Sequence, residues 1–503
     1  MRILFVVSGI YFQEPMGVMQ LSAICKTKGH ATKLAVLNIH SLPEKIRTFH
    51  PDMVAYSAMS SDEDLFTQAD EQVKLHMRQT GHRVIRIMGG PHPTFFPSVL
   101  EKMELDAVCL GEGDHAIYTI CDRISNNDDL RDIPNVLAFG ESTFPKEIIQ
   151  DLDSLPFVDR DLLYDARPDL KSIGLRSFLT SRGCPYSCTY CFNHSYNKMF
   201  RGCGKLLRRR SVDNVISEIK YVISSYPPVK FLRFADDTFI YKKTKWLEEL
   251  AEKYREEINL PFYCLMRSNT LTEDVAKILA DIGCKSIGMA LESGDEHIRN
   301  TILKRHLSYY VVFRSFAIAH KYNLKTYGGT ILGVPGVTLD KEFKNIFTAK
   351  QLKITVPVFT IFSPYPKTEL AEYAVEQGFL DASSTRFPTL IERSILNCFS
   401  EKEKDIQQRL QYLGTIYCVT PFFPKSLLLI LARIPFPMKI YAFLYSVIVS
   451  YLMYKKIVPG AYQRGPLEII RSFSVLKNYW SQGLKRRLWR RSKSVDNSLI
   501  YHK

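Results

Sequence analysis

The sequence predicts two successive α/β units followed by a mostly helical C-terminal region. Across residues 1–130 and again across 176–384, short runs rich in Val, Ile and Leu alternate with helix-like stretches. These runs lack strict alternation of polar and apolar residues, which indicates parallel strands covered on both faces. Residues 131–175 carry four prolines and no long periodic run, so they are predicted to form a connector.

The composition is that of an ordinary globular protein and indicates the compartment. The chain has 503 residues, of which 46% are hydrophobic and 24% charged, so a core forms without disulfides. Its eleven cysteines are scattered, which favours a reducing, cytoplasmic environment. The apolar N-terminal run MRILFVVSGIYF breaks at Gly9, with no small-residue cleavage site after it. This pattern indicates a buried first strand rather than a signal peptide.

The first unit is predicted to be a doubly wound, Rossmann-like domain. Its strand candidates are residues 3–8, 32–37, 53–58, 83–88 and 106–111, with helices predicted over 17–29 and 62–81. Ligands of such sheets lie beyond the carboxyl ends of the strands. Two glycine-containing blocks follow predicted strands, MGGPHPTFFPSVL (88–100) and LGEGD (110–114). Glycine there lets the backbone approach a bulky ligand or a phosphate.

The second unit is predicted to be a partial TIM-type (β/α)6 barrel, with its active site at the carboxyl rim of the strands. The strand candidates are residues 176–181, 230–235, 262–267, 285–292, 325–333 and 356–362. Helices are predicted between them, over 211–226, 245–257, 273–282, 308–322 and 341–352.

A cysteine motif follows the first predicted strand of the barrel. The segment TSRGCPYSCTYCFN (180–193) places Cys184, Cys188 and Cys191 at spacings of three and two intervening residues. Three thiolates can hold three irons of a [4Fe–4S] cluster and leave the fourth iron open. The amino and carboxylate groups of S-adenosylmethionine need such an open iron. A zinc site would want a fourth ligand at matching spacing, which neither His194 nor Cys203 supplies.

This motif, with the aromatic Tyr190 before its last cysteine, resembles the radical S-adenosylmethionine (radical SAM) superfamily. The resemblance extends along the barrel to the cobalamin-binding branch of that superfamily, which includes the anaerobic magnesium-protoporphyrin monomethyl ester cyclase. The similar blocks are RFADDTF (233–239), MRSN (266–269), ALESGDEHI (290–298), GGTILGVPG (328–336) and SPYPKTELAEYA (363–374).

The resemblance implies roles for particular barrel residues in holding the cluster and S-adenosylmethionine. The cysteines would ligate the cluster. The residues implied to lie near S-adenosylmethionine are Tyr190, Phe192, Asp236, Arg267, Glu292, Ser293, Gly329 and Gly333. For the charged rim residues, a purely structural ion pair remains the alternative.

The first unit resembles the cobalamin-binding domain of the same branch. The resemblance implies that cobalamin contacts Ser57, Gly89, Gly90, Gly111 and Gly113. The Asp-x-His-x-x-Gly motif, which supplies an axial histidine in many cobalamin proteins, is missing after the first predicted strand. His92 lies in a different loop and is interpreted as structural. Cobalamin is therefore expected to bind without a protein histidine on its lower face.

The C-terminal region, residues 385–503, contains an apolar run and a basic tail. The run from 440 to 454 has fifteen uncharged residues, short of the about 20 that span a bilayer. Residues 471–503 contain nine Lys or Arg and one Asp. Two interpretations stay open: a buried helical subdomain that closes the barrel mouth, and peripheral membrane contact. No specific nucleic-acid partner is predicted.

The leading functional hypothesis is a methyltransferase in which methylcobalamin donates a methyl group to a carbon radical of a small, possibly lipid-like substrate. A radical cyclase or rearrangement enzyme of the tetrapyrrole-cyclase type is the alternative. A non-enzymatic corrinoid sensor or electron-transfer protein is less favoured, because an open iron is not needed for electron transfer alone. A reducing partner such as flavodoxin or ferredoxin is implied.

Overall fold

The computed structural model describes residues 1–462, apart from 11–13, 366, 383–387, 389–391 and 436. The predicted basic tail at 471–503 therefore lies outside the described residues. Within them, two six-stranded sheets and a C-terminal group of helices make up the chain.

The first sheet has the strand order β2-β1-β3-β4-β5-β6 and confirms the predicted doubly wound domain. Five strands are parallel and match the predicted runs: β1 (Arg2–Val7), β2 (Ala31–Val36), β3 (Met53–Ser57), β4 (Ile85–Gly89) and β5 (Ala107–Cys109). The accompanying helices are α1 (Met16–Thr27), α2 (Leu42–Phe49), α3 (Glu63–Thr80), α4 (Pro91–Phe95), α5 (Val99–Met103) and α6 (Asp114–Ser125).

The predicted connector contributes structure to the first domain. Residues 136–138 form β6 (Val136–Ala138), which pairs antiparallel with β5 and extends the sheet past residue 130. Three residues are too few to produce a periodic signal, so the sequence pattern missed this strand. Two short helices follow, α7 (Arg160–Ala166) and α8 (Pro168–Lys171).

The second sheet is a partial barrel with the order β14-β13-β12-β11-β10-β7, and every neighbouring pair is parallel. Its strands are β7 (Leu175–Phe178), β10 (Phe231–Phe234), β11 (Phe262–Leu265), β12 (Cys284–Gly288), β13 (Lys325–Leu332) and β14 (Val356–Ile361). The first predicted strand splits, because residues 181–182 leave the barrel sheet. They form β8 (Ser181–Arg182), which pairs antiparallel with β9 (Arg208–Arg209).

Helices between the barrel strands match the predicted segments, with two additions at the ends of the barrel. They are α9 (Phe192–Met199), α10 (Val212–Ser225), α11 (Lys245–Glu257), α12 (Glu273–Asp281), α13 (Tyr309–Lys321), α14 (Leu339–Gln351) and α15 (Glu369–Glu376). The additions are α9, which directly follows the cysteine motif, and α15.

Three further helices form the C-terminal region: α16 (Glu401–Val419), α17 (Lys425–Arg433) and α18 (Met438–Leu452). A π-helical turn, Met453–Ile457, follows. The carbonyl of Ile457, the last residue of this turn, accepts a hydrogen bond from the Ser286 hydroxyl of β12. After the turn, the carbonyl of Ala461 accepts a hydrogen bond from the Gly174 amide at 2.7 Å.

These contacts correct the interpretation that the apolar segment of residues 421–458 closes the barrel mouth. Gly174 immediately precedes β7, and Ile457 packs with Phe231, Tyr263 and Val356, which lie at or near the starts of their strands. The segment therefore fills the amino end of the barrel, opposite the cysteine motif. None of the helices among the described residues combines the length and apolarity that a membrane span needs.

We expect Ile457→Ala to lower the free energy of unfolding by about 2–5 kcal/mol, because it removes a 1%-exposed side chain from the segment that fills the amino end of the barrel. Ile440→Ala is the matched control, since Ile440 of α18 is 44% exposed and should change stability little. Urea denaturation followed by circular dichroism measures both. Equal losses of unfolding free energy in the two variants would contradict the packing of Ile457 in the amino end of the barrel.

Candidate active site

The three cysteines of the motif lie in the loop between β8 and α9, at the carboxyl rim of the barrel. Cys188 is buried, whereas Cys184 and Cys191 are partly exposed. The amide of Cys191 donates to the Cys188 carbonyl at 3.1 Å, and Asn197 of α9 donates to the Cys184 carbonyl at 2.8 Å. The loop is thus held in shape by its own backbone and by the helix that follows.

The loop enters through Gly183, whose φ is +91°. A β-carbon there would lie 2.2 Å from the Leu206 carbonyl oxygen, so only glycine fits. Tyr241 donates to the Gly183 carbonyl at 3.1 Å and fixes the entry from the barrel side.

The three thiols share one electrostatic environment. Burial, together with the neighbouring Cys188, Asp237 and Cys184, raises the pKa of Cys191 to about 12. Burial, with Asp237 and Cys188 as neighbouring charges, also raises the pKa of Cys184. Among the described residues, no three His, Cys, Asp or Glu side chains converge on the position of a single ion. A cubane is larger than one ion, so three neighbouring thiols in one loop fit a [4Fe–4S] cluster.

Arg267, which follows β11, lies against the buried cysteine. Its Nη1 is 3.4 Å from the Cys188 Sγ, and its guanidinium carbon is 3.9 Å from the centre of the Tyr186 ring. The side chain is 6% exposed. The predicted rim residue is therefore placed at the cysteine loop, where its guanidinium donates to the sulfur of Cys188.

Tyr190 and Glu292 are in direct contact, and both contact a third residue, Arg305, that was not predicted from the sequence. The Tyr190 hydroxyl donates to Glu292 Oε1 at 2.8 Å, while Arg305 Nη1 contacts the hydroxyl at 2.6 Å and Oε1 at 3.2 Å. Burial opposes the charge on Arg305, but Tyr190 and Glu292 outweigh it and raise the pKa of the guanidinium. Glu292 itself has a φ of +59°, a conformation that a non-glycine residue holds only when its surroundings fix it.

Beside Glu292, Gly329 leaves open space inside the barrel. A β-carbon on Gly329 would meet only Ala290, at 3.9 Å, within 4 Å. An adenosine group could approach the backbone here, as the resemblance implies. Ser293 is placed differently: its hydroxyl donates to Asn345 of α14 at 3.2 Å and is 1% exposed. That geometry favours a structural role for Ser293.

The loop after β13 is held by a buried carboxyl group. The Gly333 amide, at a φ of +69°, donates to Glu342 Oε1 at 2.7 Å, and Gln407 of α16 donates to the same oxygen at 3.4 Å. Burial raises the pKa of Glu342 to about 8. Gly333 is thereby fixed to α14 and α16 rather than left free at the rim.

Asp236, at the end of β10, holds the start of the cysteine loop. Its Oδ1 accepts hydrogen bonds from the Thr180 amide at 3.0 Å, the Thr180 hydroxyl at 2.9 Å and the Ser181 hydroxyl at 2.5 Å. The residue is fully buried. Its contacts are those of a positioning residue for the loop.

A cavity of about 400 Å³ lies between the carboxyl edge of the first sheet and the cysteine loop, a size usual for organic ligands. All five residues predicted to contact cobalamin line it: Ser57, Gly89, Gly90, Gly111 and Gly113. From the barrel side it is lined by Arg182, Gly183, Phe192, Asn193 and Tyr196. Phe192, which was predicted near S-adenosylmethionine, is therefore at this cavity and is 47% exposed.

Two of the cavity glycines cannot be replaced without strain. Gly111 has a φ of +95°, and a β-carbon there would lie 2.4 Å from the Phe200 ring. Gly90 has a φ of +97°, and a β-carbon would lie 2.9 Å from the Ala58 carbonyl oxygen. The backbone itself forms this wall of the cavity, which suits a broad, flat ligand such as a corrin ring.

His92 is buried outside the cavity lining. Its Nδ1 lies 3.3 Å from the Ser60 hydroxyl, its ring stacks on Phe96, and burial lowers its pKa. The described residues that line the cavity include no histidine. The residues present thus fit a corrinoid whose lower face meets no protein imidazole.

Four charged residues that were not predicted from the sequence join the two units at this cavity. Glu112 and Asp114, in the loop after β5, form ion pairs with Arg208 and Arg182 of β9 and β8. Arg182 stands only two residues before Cys184, yet its partner is distant in sequence. A single sequence carries no signal for such a pair.

Comparison with known proteins agrees with this arrangement. The family model described as "Radical SAM superfamily" matches residues 178–348, and the one described as "B12 binding domain" matches residues 4–120. The chain is 29% identical over 391 residues to an uncharacterized methyltransferase of Pyrococcus horikoshii, covering 75% of this chain and 82% of that protein.

Two other relatives carry more specific descriptions. Cytidylyl-2-hydroxyethylphosphonate methyltransferase of Streptomyces wedmorensis is 24% identical over 400 residues, covering 70% of this chain and 72% of that protein. The anaerobic magnesium-protoporphyrin IX monomethyl ester cyclase of Synechocystis sp. is 23% identical over 311 residues, covering 57% of this chain and 58% of that protein.

Among solved structures, the fold is similar to that of the cobalamin-dependent S-adenosylmethionine radical enzyme OxsB, solved with aqua-cobalamin and S-adenosylmethionine bound. The TM-score is 0.67 at 13% identity, covering 100% of this chain and 81% of that chain. At this identity the likeness concerns the fold.

The fold and the site define a radical SAM enzyme that carries a B12-binding domain. The chain contains both a radical SAM domain and a B12-binding domain, and these domains imply a [4Fe–4S] cluster, S-adenosylmethionine and cobalamin as its cofactors.

Replacing Cys184, Cys188 or Cys191 with Ala should abolish reductive cleavage of S-adenosylmethionine and lower the iron content of the reconstituted protein, because each thiolate is expected to hold one iron. Cys203→Ala is the control: it lies outside the motif and should keep full iron content and cleavage. Iron analysis and anaerobic assay of 5′-deoxyadenosine measure both. A triple variant with four irons and undiminished cleavage would refute the assignment.

Proposed function

We propose that this enzyme transfers a methyl group to an unactivated carbon of a small-molecule substrate. One observation carries the proposal: the cavity of the B12-binding domain is walled on its other side by the cysteine loop of the barrel. A methyl carrier and a radical generator can act on the same substrate molecule only when both are adjacent to the site that it occupies.

The cofactors supply the reactive groups: the cluster and S-adenosylmethionine yield a 5′-deoxyadenosyl radical, and cobalamin carries the methyl group. The protein supplies position. Arg267 donates a hydrogen bond to the sulfur of Cys188, and Asp236 holds the start of the loop through Thr180 and Ser181.

Glu292 and Tyr190 are held by Arg305 beside the open space at Gly329. We place S-adenosylmethionine there, with the Glu292 carboxylate available to its polar groups. A small electron donor of the flavodoxin or ferredoxin type would reduce the cluster.

With methyl-labelled S-adenosylmethionine and a reductant, we expect the reconstituted enzyme to form both 5′-deoxyadenosine and S-adenosylhomocysteine. Methyl transfer consumes one molecule of S-adenosylmethionine for the radical and another to methylate the carrier. Liquid chromatography with mass spectrometry measures the two products. The cyclase alternative predicts 5′-deoxyadenosine without S-adenosylhomocysteine, so that outcome would replace the methyltransferase proposal.

We also propose peripheral membrane contact through an apolar face of the C-terminal helices. This apolar face comprises the outward residues of α17 and α18, which are 36–57% exposed: Leu427, Ile430, Ile434, Ile440, Phe443, Leu444, Val447 and Tyr451. Their spacing places them on one side of each helix, opposite the buried Leu428, Ala432, Tyr441, Ala442 and Ser446.

Charge favours an anionic bilayer over a second copy of the chain as the partner of this face. From residue 406 to residue 467 the sequence contains no Asp or Glu. Exposed cations flank the apolar face: Lys425, Arg433, Lys439, Lys455 and Lys456. Two such faces would repel each other, whereas anionic headgroups attract each cation by about 1 kcal/mol. A lipid-like substrate would be consistent with this location.

Leu444→Glu should weaken binding of the protein to anionic vesicles, because it places a carboxylate in the apolar face. Binding should also fall as salt is raised. Leu75→Glu is the matched control, since Leu75 of α3 is 48% exposed, close to the 44% of Leu444. Flotation with anionic and neutral vesicles measures the effect. Equal binding by both variants, or no binding by the wild type, would contradict the proposal.

A further inference from the structure

Two carboxylates of the first domain and two guanidinium groups of the barrel form an interdomain ion-pair network at the cavity. Arg182 donates to Asp114 through two hydrogen bonds, at 2.7 and 2.9 Å. Arg208 donates to Glu112 through two more, both at 2.8 Å. Arg182 also lies 3.5 Å from Glu112, so the four groups are continuous.

The network is largely withdrawn from solvent and balanced in charge. The exposed side-chain fractions are 4% for Arg208, 5% for Asp114, 12% for Glu112 and 25% for Arg182. Two positive and two negative groups cancel, and the paired planar geometry satisfies most donors and acceptors. Removing one partner would leave an uncompensated charge in this environment.

Each side of the network is attached to one cofactor site. Glu112 and Asp114 belong to the loop 110–114, whose glycines form the cavity wall. Arg182 is followed directly by Gly183 and then by Cys184, the first cluster ligand. All of these residues except Cys184 line the cavity. The cavity wall and the start of the cysteine loop are therefore joined through the same two carboxylates.

We propose that this network couples the two cofactor sites, with Arg182 as the positioning residue. A corrinoid in the cavity fixes the loop 110–114, the carboxylates of that loop fix Arg182, and Arg182 fixes the start of the cysteine loop. The coupling is reciprocal, so a loaded cluster strengthens corrinoid binding by the same factor. The inference rests on this chain binding both groups.

The coupling factor is the affinity of the cluster-loaded protein for hydroxocobalamin divided by the affinity of the cluster-free protein. Hydroxocobalamin binding is determined by anaerobic equilibrium dialysis with the full chain, once after removal of iron by chelation and once after reconstitution of the cluster. We expect the cluster-loaded wild type to bind about tenfold more tightly, within the usual range of coupling between sites.

Arg182→Gln and Asp114→Asn should reduce this ratio to about one. A purely structural role would weaken binding in both states equally and leave the ratio unchanged. Arg182→Lys keeps the charge but loses the paired geometry, so its ratio should be intermediate, and it replaces Arg182→Gln if that variant does not fold. Arg83→Gln is the control, because Arg83 is an exposed arginine that pairs with Asp106 at 2.8 Å outside the cavity lining.

A wild-type ratio of one, or a tenfold ratio that persists in Arg182→Gln and Asp114→Asn, would overturn the coupling while leaving the proposed methyl transfer intact. Absence of hydroxocobalamin binding in both states of the wild type would overturn the cobalamin assignment together with the coupling.

Discussion

Four charges determine how the carboxyl edges of the two sheets meet. Parallel sheets place their ligands at this edge, and here two such edges face each other across one cavity. Glu112 and Asp114 come from one edge, and Arg182 and Arg208 come from the short strands beside the other. Because each pair makes two parallel hydrogen bonds, it fixes both distance and orientation. The cavity and the start of the cysteine loop meet at this junction.

The elements that were predictable from the sequence are those whose signal is local. The predicted apolar runs of both sheets form strands, and the segment with the cysteine spacing forms a loop. Both features depend on residues that are close together in the sequence. The glycines at 89, 90, 111 and 113 were placed correctly at the cavity edge for the same reason.

Side-chain partners distant in the chain could not be predicted. Arg305 contacts Tyr190 although the two residues are 115 positions apart in the sequence, and no local sequence pattern predicts that contact. Asp236 and Ser293 were expected at the rim and lie there, but Thr180 and Asn345 determine where their side chains point. The C-terminal apolar segment was expected at the barrel mouth but lies at the amino end, since only the packed barrel shows which of its ends is left to fill.

The placement of the cysteines has a consequence for the order in which the enzyme is assembled. Arg267 and Tyr186 cover the cluster loop at the buried Cys188, whereas Cys184 and Cys191 are partly exposed. Their chain neighbours Gly183, Phe192 and Asn193 line the corrinoid cavity, so a ligand there also obstructs the approach to these thiolates. A ligand in the cavity would therefore narrow the approach of dioxygen and competing metal ions to the loop. Maturation in which the corrinoid arrives early therefore shortens the period in which iron and sulfide are exposed to loss.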